Sequence, residues 1–190
     1  MYSGLYFPTS RVGADWRGEW GGVDCIVQWR HENAAALGAR LTVWLTDLVG
    51  VQGAAVYSPS NLKRRRLGSC ATALLGRVEE VDASVISVTA RTILRFGAPS
   101  RRVGFHVLGG LGFVSRVGEA YDDVEGSTDP AIVLGAGLRV KVGPGVFFRF
   151  DAEDYLSEAS LKIVRPGTAA PLGSHVQHDL VFSQALVLRL

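Results

Sequence analysis

The sequence lacks several features that would place it in a common protein class. No run of about 18 apolar residues occurs, which excludes a membrane-spanning helix. The 20 lysines and arginines nearly balance the 18 acids, so the net charge of +2 does not favour nucleic acid as a partner. No segment combines a basic start with an apolar core, so no signal peptide is visible. The seven prolines fall at segment ends or in polar stretches, which leaves the runs between them free to pair as strands.

The chain is nevertheless apolar on average. Hydrophobic residues make up 47% of the 190 residues, and the mean hydropathy is +0.19. A chain of this kind without a long apolar run must distribute its apolar residues by alternation. Alternation with a period of two is typical of strands, and in a lipid environment it is typical of a β-barrel.

Eight segments show this alternation. In one of them, Val146, Phe148 and Phe150 alternate with Phe147, Arg149 and Asp151. We predict a single domain spanning 1–190, an all-β, closed, antiparallel up-and-down barrel of about eight strands and of the membrane type. The predicted strands are Met1–Thr9, Ala34–Leu45, Val49–Ser58, Ala83–Phe96, Arg102–Ser115, Pro130–Val142, Val146–Tyr155 and His178–Leu190.

The connections between these segments alternate in length. Short turns at 46–48, 97–100 and 143–145 alternate with long polar connections at about 10–33, 59–82, 116–129 and 156–177. We interpret 67–81 as loop. Outer-membrane barrels combine short periplasmic turns with long external loops, so this pattern favours a membrane barrel over a soluble one.

In several predicted strands, charged residues lie on the row opposite the more apolar one. If the apolar rows face lipid, these charges face the lumen and must pair with one another, because a buried charge needs a partner. The alternative is an ordinary solvated face on a soluble barrel. The predicted lumen charge network consists of Arg40, Arg91, Arg95, Arg139, Lys141, Arg149, Asp151 and Glu153.

Several motifs resemble those of a known family. The segments 134–140, 143–145 and 149–156 resemble the penultimate hairpin of small outer-membrane β-barrel proteins of the OmpA/OmpX kind, and the segments 4–10 and 57–60 fit the same family. The resemblance implies an eight-stranded barrel in the outer membrane. It implies no shared catalytic residues.

Two features of the long connections have a functional and a plain interpretation. Cys25 and Cys70 would form a disulfide in an oxidising compartment, or remain two free thiols. The basic run of Lys63, Arg64, Arg65 and Arg66 would bind phosphates of lipopolysaccharide or another anionic partner, or form a solvated loop.

The sequence favours neither an enzyme nor a metalloprotein. The four histidines show no ligand spacing, and no cofactor is expected. A lipid A-modifying hydrolase would need a serine, a histidine and an acid together. His106 and Ser87 fall on adjacent predicted strands, but no nucleophile motif accompanies them.

We therefore expect an integral outer-membrane barrel with a structural or interaction role. Its expected partners are outer-membrane lipid and lipopolysaccharide, with no nucleic acid, and its expected state is monomeric. The alternatives are a soluble lipocalin-like ligand-binding barrel and, less favoured, the lipid A-modifying hydrolase.

Overall fold

A closed barrel of eight antiparallel strands forms the body of the protein. The computed structural model describes residues 1–9, 16–20, 23–68, 79–97, 101–121, 124–125, 127–159, 162–163, 170–171 and 175–188, with side chains for 1–9, 30–63, 80–97, 101–121, 127–158 and 176–188. The barrel strands are β1 (Tyr2–Pro8), β4 (Ala34–Trp44), β5 (Val49–Ser58), β8 (Ser84–Phe96), β9 (Val103–Val117), β11 (Thr128–Gly143), β12 (Val146–Ala159) and β15 (His175–Leu188).

The strands close in the order β1-β15-β12-β11-β9-β8-β5-β4. The first strand pairs with both ends of the sheet: Tyr2 lies opposite Ala185 of β15 on one side and opposite Gly38 of β4 on the other. Each barrel strand therefore has two hydrogen-bonded neighbours. The eight predicted barrel strands and the up-and-down topology are confirmed.

The long connections contain further strands, which the alternation of apolar residues does not predict. These are β2 (Trp16–Trp20), β3 (Val23–His31), β6 (Asn61–Gly68), β7 (Glu79–Asp82), β10 (Val124–Glu125), β13 (Lys162–Ile163) and β14 (Ala170–Pro171), with a 3-10 turn at Glu119–Tyr121. They form a four-stranded sheet, β2-β3-β6-β7, and a three-stranded sheet, β10-β13-β14. The segment 67–81 thus includes the end of β6 and most of β7. The acidic residues of β7 have low strand propensity, so the sequence does not predict its pairing with β6.

The short turns at the opposite end are held by local chemistry. The hydroxyl of Thr46 accepts hydrogen bonds from the backbone N–H groups of Leu48 and Val49, at 3.2 and 3.0 Å. Gly97 and Gly145 adopt positive φ angles of 91° and 69°, which glycine tolerates better than other residues. These residues allow the chain to reverse between adjacent barrel strands.

The two faces of the barrel wall are inverted relative to a soluble protein. Large apolar side chains on the outer face are exposed, including Phe148 (46%), Leu186 (52%) and Leu111 (68%). Arginines and carboxylates occupy the interior instead, with Arg91 exposed by only 2% and Glu153 by 1%. No helix in the described part of the chain is long and apolar enough to cross a membrane.

Candidate functional site

The inner row of β12 supplies three of the buried charged side chains in the lumen. Because strand side chains alternate, Arg149, Asp151, Glu153 and Tyr155 point inward, whereas Phe148 and Phe150 point outward. All four inward residues are buried. This one strand therefore presents a cation, two anions and a hydroxyl to the strands across the barrel.

Asp151 gathers three donors from three different strands. Its carboxylate lies 2.5 Å from Arg40 Nη1, 2.8 Å from Arg149 Nε and 2.6 Å from His106 Nε2. Arg40 comes from β4 and His106 from β9, so the carboxylate links opposite sides of the barrel. Arg40 Nη2 donates to the hydroxyl of Ser183 at 2.9 Å, so these contacts also reach β15.

The carboxylate of Glu153 forms ion pairs with two arginines. It lies 2.7 Å from Arg40 Nη2 and 2.8 Å from Arg91 Nη1, and the Tyr155 hydroxyl donates to it at 2.9 Å. Arg91 also donates to Tyr155. We call the set Arg40, Arg91, His106, Arg149, Asp151, Glu153 and Tyr155 the middle cluster. It joins β4, β8, β9 and β12 across the lumen and fills the space that a pore would need.

The other predicted network residues lie outside this cluster. Arg95 and Arg139 lie nearer the short turns, where their guanidinium groups stack on Trp44 at 3.6 Å and on Phe147 at 5.1 Å from the ring centres. Lys141 is exposed, so the prediction that it belongs to the buried charge network of the lumen is wrong. The register shifts between Lys141 and Gly143, and this end of β11 belongs to the rim rather than to the lumen.

A second buried cluster lies toward the long connections. Arg116 donates to Asp129 at 2.5 Å, to Gln177 at 2.8 Å and to Ser157 at 3.0 Å. Gln177 donates in turn to Asp179, at 3.1 Å. We call these residues, together with Tyr6, the upper cluster.

Tyr6 ties the first strand to this upper cluster, because its hydroxyl donates to Asp179 at 2.9 Å. Sequence reasoning missed the cluster, although its signal was present. Arg116 continues the inward row of β9, and Gln177 and Asp179 continue the inward row of β15. A cavity of only about 10 Å³, lined partly by Tyr6 and Asp179, separates the upper cluster from the middle one.

An aromatic contact caps the lumen at the same end. His31 Nε2 lies 2.6 Å from the Tyr121 hydroxyl, and the two rings stack with centres 6.0 Å apart. Burial, assisted by nearby Arg116, lowers the pKa of His31 from 6.5 to about 3. Burial also raises the pKa of Tyr121 well above its ordinary value. Both groups are therefore neutral at ordinary pH.

The geometry does not bring together His106 and Ser87, the two residues that the hydrolase alternative would need. His106 contacts Asp151 and lies opposite Arg95 of β8, whereas Ser87 of the same strand lies opposite Val114. Ser87 is thus eight residues along β8 from the position facing His106. Within the described residues, no group of three histidines, cysteines or acids could hold a metal ion.

The predicted basic run forms part of β6 rather than a loop. Lys63 contacts two carboxylates, Glu32 and Glu80, the second at 3.3 Å. The backbone of Arg64, Arg65 and Arg66 pairs with β3, but their side chains lie outside the described residues. Cys25 lies opposite Gly68 at the end of the same strand pair, while Cys70 lies outside the described part of the chain.

Comparisons with known proteins identify the fold. No family model and no curated protein matches the sequence. The structure is similar to the outer membrane protein OprG from Pseudomonas aeruginosa, with a TM-score of 0.63, 11% identity, and coverage of 98% of this chain and 91% of that one. It is also similar to the outer membrane protein AlkL, solved in lipid bilayers, with a TM-score of 0.58, 14% identity, and coverage of 98% and 88%. The chain therefore has the fold of a small, closed, eight-stranded barrel of the outer-membrane type.

Proposed function

We propose that this chain is an integral outer-membrane protein whose role is structural or interactive rather than enzymatic. The observation that carries the proposal is the inversion of the barrel wall: an apolar exterior surrounds a charged interior. In water, such an exterior would form an apolar patch far larger than soluble monomers expose. In a bilayer, acyl chains cover the exterior and the lumen charges satisfy one another.

The outer surface also has the shape expected of a lipid-facing wall. A groove of about 740 Å³ lies on the exterior between Leu5, Phe105, Leu138, Phe150 and Phe182. Its floor includes the small residues Ala136 and Ala152, so flexible chains can lie against the wall. The exposed apolar side chains form a belt around the barrel, and a polar contact interrupts it where Asp154 Oδ2 lies 3.0 Å from His178 Nδ1.

We infer the orientation in the membrane from the two ends of the barrel. Short turns connect the strands at the end where β1 begins and β15 ends, and the strand-bearing long connections lie at the other end. By analogy with outer-membrane barrels, we place the short turns in the periplasm and the long connections outside the cell. The additional sheets then form the surface available to external partners.

The middle cluster argues against a wide diffusion pore. Its ion pairs cross the lumen, and their side chains are 10% exposed or less. Opening the lumen would separate buried charges from their partners, which costs several kcal/mol per ion by order of magnitude. We expect a rigid scaffold with at most a small ion leak.

We propose a monomer surrounded by lipid. Every barrel strand already has two neighbours, which leaves no free barrel edge for strand addition. Lipopolysaccharide is a further proposed partner through the basic strand β6. Since Lys63 already contacts Glu32 and Glu80, this contact would depend mainly on Arg64, Arg65 and Arg66.

Folding into detergent micelles or lipid vesicles tests the proposal. We expect a β-type circular dichroism spectrum and a band that shifts on gels when the sample is heated. We also expect the protein in the outer-membrane fraction of cells that express it with an export signal. A monomer that stays soluble and folded without detergent would favour the lipocalin-like alternative and contradict the proposal.

A further inference from the structure

The outer face of the barrel carries an amide side chain within its apolar belt. Gln184 lies on the outward row of β15 between Phe182 and Leu186, and all three side chains are exposed. On the neighbouring strand β12, the exposed Phe150 lies opposite Gln184. Among the described residues of the eight barrel strands, no other asparagine or glutamine is exposed. The position of this amide in the belt therefore needs a physical reason.

The other neighbour of Gln184 is also polar. Ser3 of β1 lies directly opposite Gln184 in the strand register, and its side chain is exposed on the same outer face. Neither side chain forms a hydrogen bond with any residue that the structure describes. An amide or a hydroxyl without a hydrogen-bond partner is costly in hydrocarbon, where no water can replace the partner. Ser3 and Gln184, which we call the polar pair, thus present two donors to the surrounding membrane.

Two surface grooves meet at the polar pair. The apolar groove of about 740 Å³ on the exterior includes Ser3 and Gln184 among its lining residues. A second groove of about 390 Å³ includes the same two residues and extends to Met1 and Leu186, toward the short-turn end. The outer wall therefore has an elongated depression, with an apolar part on one side of the polar pair and a part that approaches the barrel end on the other.

From this geometry, we propose that the wall binds one glycerophospholipid of the periplasmic leaflet at the polar pair. An ester carbonyl of the lipid accepts hydrogen bonds from the Gln184 amide and the Ser3 hydroxyl. One acyl chain lies in the apolar groove, and the glycerol and head group follow the second groove toward the short turns. The inference rests on the proposed membrane function, which places the short turns in the periplasm. A purely apolar chain would leave both donors unsatisfied, so an ester lipid fits the depression better than a hydrocarbon.

Native mass spectrometry of the refolded protein tests this site. The protein is kept in micelles of a polyoxyethylene alkyl ether, which has no carbonyl group, and phosphatidylethanolamine is titrated into the micelles. We expect saturable binding of one lipid per chain. The heat-dependent gel shift of the same sample reports whether the barrel is folded.

The outcomes separate this site from the proposed function. A folded barrel without saturable lipid binding would refute the lipid site and leave the membrane function intact, whereas a chain that does not fold in micelles would contradict both. A complex of two chains without lipid would show that a second copy covers the polar pair, and it would overturn the proposal.

The dialkyl ether analogue of phosphatidylethanolamine tests the role of the carbonyl. Its dissociation constant should be about fivefold or more above that of the ester lipid, because a hydrogen bond of ordinary strength is lost. Equal affinities would show that the protein does not recognise the carbonyl and would refute the proposed contact.

Two variants then locate the site. Gln184→Leu should raise the dissociation constant of the ester lipid about fivefold or more, for the same reason. Thr92→Val is the matched control, because Thr92 is an exposed polar residue on the outward row of β8, on the far side of the barrel. It should leave the dissociation constant within about twofold of the wild type, since it removes no contact at the polar pair. Equal weakening by both variants would show unspecific lipid association and overturn the assignment.

Discussion

Removal of the charge of Glu153 should destabilise the barrel more than any ordinary surface substitution. Its carboxylate is 1% exposed and accepts contacts from Arg40, Arg91 and Tyr155 at 2.7 to 2.9 Å. The substitution Glu153→Gln preserves the shape of the side chain but removes its negative charge. The middle cluster would then keep one acid, Asp151, which pairs with Arg40 and Arg149, and Arg91 would lose its ion pair.

The expected loss of stability follows from Arg91, because this partner of Glu153 loses its ion pair. Arg91 pairs with Glu153 and keeps only neutral contacts to Thr89 and Tyr155 after the substitution. Breaking a buried ion pair by removing one partner typically costs about 3–5 kcal/mol. Since the remaining hydroxyls still solvate Arg91, we expect a loss near the lower end, about 3 kcal/mol.

The assay is reversible urea unfolding in lipid vesicles, followed by tryptophan fluorescence and by the heat-dependent gel shift. Glu158→Gln is the matched control, because Glu158 lies on the same strand but is exposed. We expect the control to change the free energy of unfolding by no more than about 0.5 kcal/mol. If Glu153→Gln behaved like Glu158→Gln, the middle cluster would not stabilise the barrel and the reasoning would be refuted.

Three further predictions test the lumen, the outer face of the barrel wall and the end of the barrel that carries the long connections. Gly137→Ala should reduce the folded fraction on gels, because its Cβ would collide with Asp151 and the neighbouring backbone, whereas Gly53→Ala has open space and should fold normally. Leu111→Arg should lower the free energy of unfolding in vesicles by about 2–4 kcal/mol, since this exposed leucine lies within the apolar belt, and a neutral outcome would place the residue outside lipid. The depressed pKa of His31, about 3 against 6.5, means that its stabilising contribution is complete above about pH 6.5 and is lost as the pH falls toward 3. Proteolysis of the long connections should therefore accelerate on acidification in the wild type but not in His31→Phe, and equal acceleration in both would exclude His31 as the cause.

The eight barrel strands could be predicted because their signal is strictly local. On β12, a period of two separates Phe148 and Phe150 from Arg149 and Asp151 without interruption. The period alone therefore predicts that the charged row lies on one face. Which arginine binds which acid was not predictable, since Arg40 and Asp151 are 111 residues apart and meet only because the barrel closes.

The sequence does not predict the upper cluster or the additional sheets, and the reason is related. A charged residue beyond an apolar run resembles the start of a loop, so the alternation predicts that this strand ends at Ser115, one residue before Arg116. Asp129 likewise precedes the predicted start of β11 at Pro130. In the structure, Arg116 and Asp129 continue the inward rows and bind each other. Strand ends in such a barrel are polar on the inside, and apolar periodicity alone underestimates their length.

The ionic lumen also explains how the sequence can specify one strand register. Since side chains alternate, a slip of one residue in β12 would turn Arg149, Asp151 and Glu153 toward lipid and turn Phe148 and Phe150 inward. In a barrel with apolar residues on both faces, the native and the slipped register would differ little in free energy. With charges on one face, the slipped register loses the contacts to Arg40, Arg91 and His106 and exposes charge to the apolar phase. The buried ion pairs need not stabilise the native barrel more than a well-packed apolar core would. Their larger effect is on the competing registers, and this effect requires several strands to contribute partners to the same acids.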